Sequence, residues 1–96
     1  MKFVALWSLK EGTDQAKLGE VLRRRARWVF PEGLTLIAEY WSAQTRPAVV
    51  SIVEAEDAAA LVANSVAWLD AMEVQIFPIV TWEEGLQTLS RGPAAG

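Results

Sequence analysis

The chain has 96 residues, the size of a single domain, and 52% of them are hydrophobic. It contains neither cysteine nor histidine, which excludes disulfides, thiolate chemistry, haem ligation by histidine and a serine–histidine–aspartate triad. The formal net charge of −3 argues against nucleic acid as the main partner, and no run reaches the about eighteen apolar residues of a membrane span. The chain therefore has the composition of a soluble cytoplasmic protein.

The first half of the chain is predicted to form a strand, a helix and a second strand. Phe3–Leu9 is an apolar run too short and too abruptly ended for a signal peptide, so it predicts a strand. Thr13 or Asp14 can cap the helix, Pro31 marks its end, and Leu34–Ser42 is the second strand. The apolar positions of this helix have helical spacing and comprise Leu18, Val21, Leu22, Ala26 and Val29.

The second half repeats the pattern after a hairpin-length connection. Ala48–Ala55 and Met72–Val80 are predicted strands, and the helix between them begins after Glu56 and Asp57, where negative charge suits the helix dipole. The inner stripe of this helix comprises Ala58, Leu61, Val62, Ser65 and Leu69, with Trp68 beside it.

A short last helix, Trp82–Leu89, is predicted because Thr81 and Glu84 have capping-box spacing. Residues 1–90 then form one domain, and residues 91–96 are a flexible tail of glycine, proline and alanine.

The order β-α-β-β-α-β predicts an α+β ferredoxin-like sandwich. Right-handed crossovers place both helices on one face of a four-stranded antiparallel sheet with strand order 4-1-3-2. Strands two and four become the edges, where Pro78 is tolerated.

Three of the strands are apolar at nearly every position, and a sheet that is apolar on both faces must be covered on both. Because both long helices lie on one face, the sequence predicts a homodimer in which a second copy covers the other face.

This pattern resembles the dimeric α/β-barrel superfamily, whose members pack two ferredoxin-like sheets face to face. The chain is most similar to a family of small bacterial domains of unknown function within it. The matching stretches are Met1–Trp7, Pro31-Glu32-Gly33, Glu54–Leu61 and Trp68–Pro78. The resemblance implies functions that range from cofactor-independent monooxygenases and isomerase-like enzymes to proteins without known activity. The family often carries an Arg-Trp-His run where this chain has Glu39, Tyr40 and Trp41, so no role of that run transfers here.

Candidate site residues interrupt or border the apolar strands. Tryptophans such as Trp7 and Trp41 either fill the core and the subunit contact or line a ligand pocket. Glu39, on the same strand face as Trp41, either faces the interior between two sheets as a general acid or base, or faces solvent and discourages edge pairing. Ser8, Ser51 and Gln75 are polar interruptions that either bind a ligand or hydrogen-bond neighbouring backbone.

The charged clusters have structural explanations. The arginines that end the first helix suit its dipole, Glu20 and Arg24 are spaced for an ion pair, and Arg25 is nearest the apolar stripe. Acidic pairs at helix starts are explained by capping, so we predict no metal and no cofactor. The sequence thus predicts a homodimer that binds a small apolar metabolite between its sheets. The alternative is a cofactor-independent enzyme for a small apolar or aromatic substrate, with Glu39 as acid or base.

Overall fold

The computed structural model describes residues 1–91, and its elements follow the predicted order. They are β1 (Lys2–Leu9), α1 (Gln15–Ala26), β2 (Leu34–Trp41), β3 (Val49–Ala55), α2 (Ala58–Val66), β4 (Met72–Pro78) and α3 (Trp82–Arg91). The differences from prediction are confined to element ends: α1 stops at Ala26 and β4 at Pro78. Arg91, which the sequence assigns to the tail, ends α3, and the remainder of that predicted tail, residues 92–96, lies outside the described residues.

The four strands form one antiparallel sheet in the order β2-β3-β1-β4, which is the predicted 4-1-3-2 order read from the other edge. β2 and β4 are the edge strands, as predicted. Pro78 is the last residue of β4 and pairs with Phe3 of β1. The missing amide hydrogen of a proline costs nothing at such an edge.

Aspartates cap both long helices. The Asp14 carboxylate accepts a hydrogen bond from the Lys17 amide at 2.8 Å, and the Asp57 carboxylate accepts one from the Ala60 amide at 3.2 Å. Each bond satisfies an amide that the first helical turn would otherwise leave unpaired.

The helices bury narrower faces than the sequence predicts. In α1 only Val21 is buried, whereas Leu22 and Val29 of the predicted stripe are exposed. The buried positions of the second helix and the turn after it are Ala60, Asn64 and Trp68. The predicted inner stripe is therefore wrong at Ala58, Val62 and Leu69, which lie toward solvent. An alanine-rich helix has small side chains on every side, so its apolar pattern does not reveal which side faces the core.

Both helices cover the same face of the sheet, as predicted. One core cluster joins Val21 of α1 to Ala5 and Trp7 of β1, and the other joins Ala60 of α2 to Leu34 and Val53. The cross-strand pairs Phe3–Val53, Ala5–Ser51 and Trp7–Val49 show that alternate residues of β1 and β3 point toward these helices.

Within residues 1–91, the opposite sheet face is apolar and carries no helix over its centre. The pairs Val4–Ile52, Leu6–Val50 and Val4–Phe77 place these side chains on that face, and Tyr40 of β2 pairs with Val50 beside them. Phe77 and Tyr40 are exposed. We call the side chains of Val4, Leu6, Tyr40, Val50, Ile52 and Phe77 the open face.

The terminal helix α3 extends away from the rest of the chain. Its capping box forms as predicted: the Glu84 amide donates to Thr81 Oγ1 at 3.0 Å, and the Thr81 amide donates to the Glu84 carboxylate at 3.2 Å. The hydrogen bond from the Thr81 amide to the carboxylate lowers the pKa of Glu84. No residue of α3 is buried, and Trp82 is 73% exposed. The radius of gyration, 16.0 Å, exceeds the value of about 12 Å expected for a compact domain of this size.

Candidate functional site

A cleft between the helices and the sheet is walled by aromatic side chains. Trp7 points into it from β1, Trp28 from the segment after α1, and Trp68 from the turn after α2. The ring centroids of Trp28 and Trp68 are 5.1 Å apart, and those of Trp7 and Trp68 are 6.4 Å apart, both in edge-to-face geometry. Such contacts fix the orientation of each indole, so the wall of the cleft is preformed.

The cleft contains a cavity of about 50 Å³, enough for a few water-sized groups, and it opens at one side. Its lining is mainly apolar and includes Ala5, Val21, Phe30, Leu34, Val49, Val53, Leu61, Met72 and Ile76 in addition to the tryptophans. A preformed apolar recess with a few polar groups is the usual form of a small-molecule site.

A charged and hydrogen-bonded group lies on the cleft wall. The Arg25 Nε–H donates to both carboxylate oxygens of Glu39, at 3.1 and 3.0 Å, and the Trp41 Nε1–H donates to one of them at 3.0 Å. The Glu39 side chain is 16% exposed, and the Arg25 guanidinium lies 5.3 Å from the Phe30 ring centroid. Donors on both oxygens fix the position of the carboxylate.

A second polar pair is buried deeper. The indole Nε1–H of Trp28 donates to Oδ1 of Asn64 at 2.9 Å, and Asn64 is buried. This bond satisfies a group that an apolar layer would otherwise leave unpaired, and it ties the end of α1 to α2.

Four of the six predicted ligand-binding residues meet in this cleft. Trp7, Glu39, Trp41 and Ser51 all line it. Ser8 and Gln75 do not: they lie on the open-face side of the sheet, in a separate shallow groove beside Leu6. The structure thus assembles the predicted residues into two groups, on opposite faces.

Glu39 faces neither the open side nor solvent, the two orientations that the sequence predicts. A bulge at Ile37 explains the difference, because the register of β2 on β3 shifts between Leu36 and Ala38. One extra residue reverses the alternation of side chains, so Leu36 and then Glu39 face the helices. The predicted pairing of Glu39 with Trp41 on one face is confirmed.

Three further site residues are not among the sequence candidates: Trp28, Phe30 and Asn64. For Asn64 a signal exists, since Ala60, Asn64 and Trp68 are spaced four apart and form one helical face. Arg25 contacts Glu39, a residue whose position depends on the bulge in β2, and the sequence does not show that bulge.

The comparisons with known proteins bear on the whole domain. A family model described as a domain of unknown function (DUF3303) matches residues 1–93. The chain belongs to this family. No curated protein and no solved structure matches it.

In this DUF3303 domain a second ion pair connects α1 to the turn after α2. Arg24 makes two hydrogen bonds to the Asp70 carboxylate, at 2.9 and 2.8 Å, and lies 4.8 Å from the Trp68 ring centroid. Arg24 therefore pairs with Asp70 rather than with Glu20 as predicted. Its hydrogen bonds hold the pKa of Asp70 below the usual value and raise that of Arg24.

Residues 1–91 contain no group of three or more carboxylates placed to hold a metal ion. None of the helices in this part of the DUF3303 domain has the length and apolarity to cross a bilayer.

Proposed function

We propose that this DUF3303 domain is a homodimer in which each protomer binds a small apolar molecule in the cleft between its helices and its sheet. The observation that carries the proposal is the preformed aromatic recess, in which three indoles surround a cavity of about 50 Å³. Close packing normally leaves few voids larger than one water molecule, so a recess of this size beside fixed rings favours binding over simple core packing.

The dimer half of the proposal is supported by apolar surface that one protomer leaves uncovered. Tyr40 and Phe77 of the open face are exposed, and so are the apolar side chains of α3, Trp82, Leu86 and Leu89. Exposed apolar side chains that lie together on a surface mark interaction sites. A second copy packed on the open face would give the arrangement of the dimeric α/β-barrel superfamily, and we propose that the domain belongs to it.

The proposed ligand site and the proposed dimer contact lie on opposite faces of the sheet. This differs from a ligand between two sheets, because the cleft is complete within one protomer. The two halves of the proposal can therefore be tested separately.

The enzymatic alternative, with Glu39 as acid or base, receives less support from the geometry. Arg25 and Trp41 donate to the Glu39 carboxylate, so both of its oxygens are already engaged and its position is fixed. A positioned ion pair at the edge of a cleft serves orientation and binding better than proton transfer.

The test of ligand binding uses xenon, an apolar probe small enough for a cavity of about 50 Å³, followed by protein-detected NMR. Wild-type protein should show shifted signals for cleft residues such as Ala5 and Val49. In Ala5→Val, two added methyl groups occupy part of the cavity, and the affinity should fall at least tenfold. Ala38→Val is the matched control, because Ala38 pairs with Ile52 on the opposite face. Absence of binding to wild type, or equal affinity in both variants, would refute the proposed site.

A further inference from the structure

The cleft meets solvent near the end of β2. Among the residues that line it, Trp41 has the largest exposed fraction, 43%. The side chains of Arg25 and Glu39 also line the cavity and are 30% and 16% exposed. A side chain that borders the cavity and also reaches solvent is part of the wall between them, so these residues form the wall on this side.

Contacts on two sides hold the Arg25 side chain in this wall. Its Nε–H donates to both carboxylate oxygens of Glu39, at 3.1 and 3.0 Å, and its guanidinium lies 5.3 Å from the Phe30 ring centroid. The same carboxylate accepts the Trp41 indole proton at 3.0 Å. The contacts link a series of side chains that we call the rim: Phe30, Arg25, Glu39 and Trp41.

The rim restricts the space available to a ligand. The cavity measures about 50 Å³, whereas an engineered apolar cavity that binds benzene measures about 150 Å³. An arginine side chain beyond Cβ has as many non-hydrogen atoms as a benzene ring, so its absence would leave space of the size that a ring requires.

The other rim side chains are less suited to setting this limit. Phe30 packs against a core cluster, so it also belongs to the folded core. Trp41 is the most exposed of the rim side chains that line the cavity, and Glu39 is shorter than arginine.

We propose that Arg25 is the specificity-determining residue of the cleft. Held on Glu39, it closes the cleft beside β2 and excludes molecules as large as benzene, so the ligand is an apolar molecule or group about the size of xenon. This inference rests on the proposed function and adds the size class of the ligand and the residue that sets it. Glu39 is then a positioning residue, which holds the arginine in place.

The test compares xenon with benzene by protein-detected NMR, with the signals of Ala5 and Val49 reporting on the cleft. In wild-type protein xenon should shift these signals and benzene should leave them unchanged. Benzene should bind Arg25→Ala at least tenfold more tightly than it binds wild type. Arg23→Ala is the matched control, because the same change at an exposed position of α1 outside the cleft lining should leave benzene excluded.

A second variant covers the loss of charge balance in the first. Arg25→Ala leaves the half-buried Glu39 carboxylate without its cation, which destabilises the fold. The double variant Arg25→Ala, Glu39→Gln removes both charges together, and benzene should bind it at least tenfold more tightly than wild type as well.

The outcomes separate the inference from the proposed function. If xenon binds wild type but benzene binds wild type and the Arg25 variants equally, or none of them, the inference is overturned and the proposed function stands. A gain in benzene affinity in Arg23→Ala equal to that in Arg25→Ala also overturns the role of Arg25. If xenon does not bind wild type, the proposed function fails and the inference fails with it. The wild-type comparison needs no variant, so benzene binding in the wild-type cleft overturns the size limit even if the variants do not fold.

Discussion

At the scale of single residues, the two arginine–glutamate pairs differ mainly in burial. Arg25 and Glu39 meet beneath α1 with the carboxylate 16% exposed, whereas Arg46 and Glu73 meet in solvent with the Glu73 side chain 53% exposed. Removing one partner of a buried pair leaves a charge without compensation, while removing one partner of an exposed pair lets water replace it.

We therefore expect Glu39→Gln to lower the free energy of unfolding by about 1.5–3 kcal/mol, since Arg25 loses a charged acceptor. Glu73→Gln should change it by less than about 0.5 kcal/mol. Urea denaturation of both variants measures the difference. Equal effects would mean that the Arg25–Glu39 pair is as well hydrated as the surface pair.

The Arg24–Asp70 pair makes the free energy of unfolding depend on pH, and the sign follows from the pKa of Asp70. Hydrogen bonds from Arg24 lower the pKa of Asp70 in the folded protein below its ordinary 3.8. A carboxyl with a lowered folded pKa contributes stability above its ordinary pKa and loses it as pH falls through the folded value. Because the Asp70 side chain is 66% exposed, the contribution is at most about 1 kcal/mol.

Asp70→Asn should therefore be slightly less stable than wild type at neutral pH, and the gap should close as pH falls below about 4. Urea denaturation across this range checks both statements. A gap that stays constant with pH would show that Asp70 acts through something other than its charge.

At the scale of elements, the N-terminal cap of α2 can be tested without disturbing the packing of the helix. Asp57 is exposed and makes its capping bond to Ala60, so its replacement removes a hydrogen bond without opening the core. Asp57→Ala should cost about 1 kcal/mol of unfolding free energy. The neighbouring Glu56→Ala tests whether negative charge alone suffices: we expect a loss of less than about half that amount. A larger effect at Glu56 would contradict the assignment of Asp57 as the cap.

The elements also show why the fold was predictable and the site only partly so. The strands followed from runs of apolar residues and their order from right-handed crossovers, and Pro78 independently indicated an edge. The orientation of Glu39 depended instead on a single extra residue at Ile37, which nothing in an apolar strand of similar side chains reveals. Trp28 and Asn64 meet only because two helices pack together, a contact that neither helix indicates alone.

At the scale of the whole molecule, the sheet faces have different occupants. One face is covered by α1 and α2 and encloses the cleft, while the other presents Leu6, Val50 and Ile52, which no element of residues 1–91 covers. Helix α3 adds to the uncovered surface, since none of its residues is buried. An isolated helix of ten residues is marginal in water, so we expect its apolar side to pack against a partner. A second copy is the simplest partner that every molecule of the protein has available.

The open face gives a direct test of this dimer. Leu6 lies near the centre of that face, between Val50 and Gln75, so Leu6→Asp would place a charge inside the proposed contact. Native mass spectrometry should show dimer for wild type and monomer for Leu6→Asp, because a buried unpaired carboxylate costs more than such an interface can absorb. Leu22→Asp is the matched control: the same change at an exposed position of α1, on the far side of the protomer, should leave the dimer intact. A monomeric wild type would refute the dimer, and a dimer that survives Leu6→Asp while dissociating in Leu22→Asp would place the contact on the helices instead of the open face.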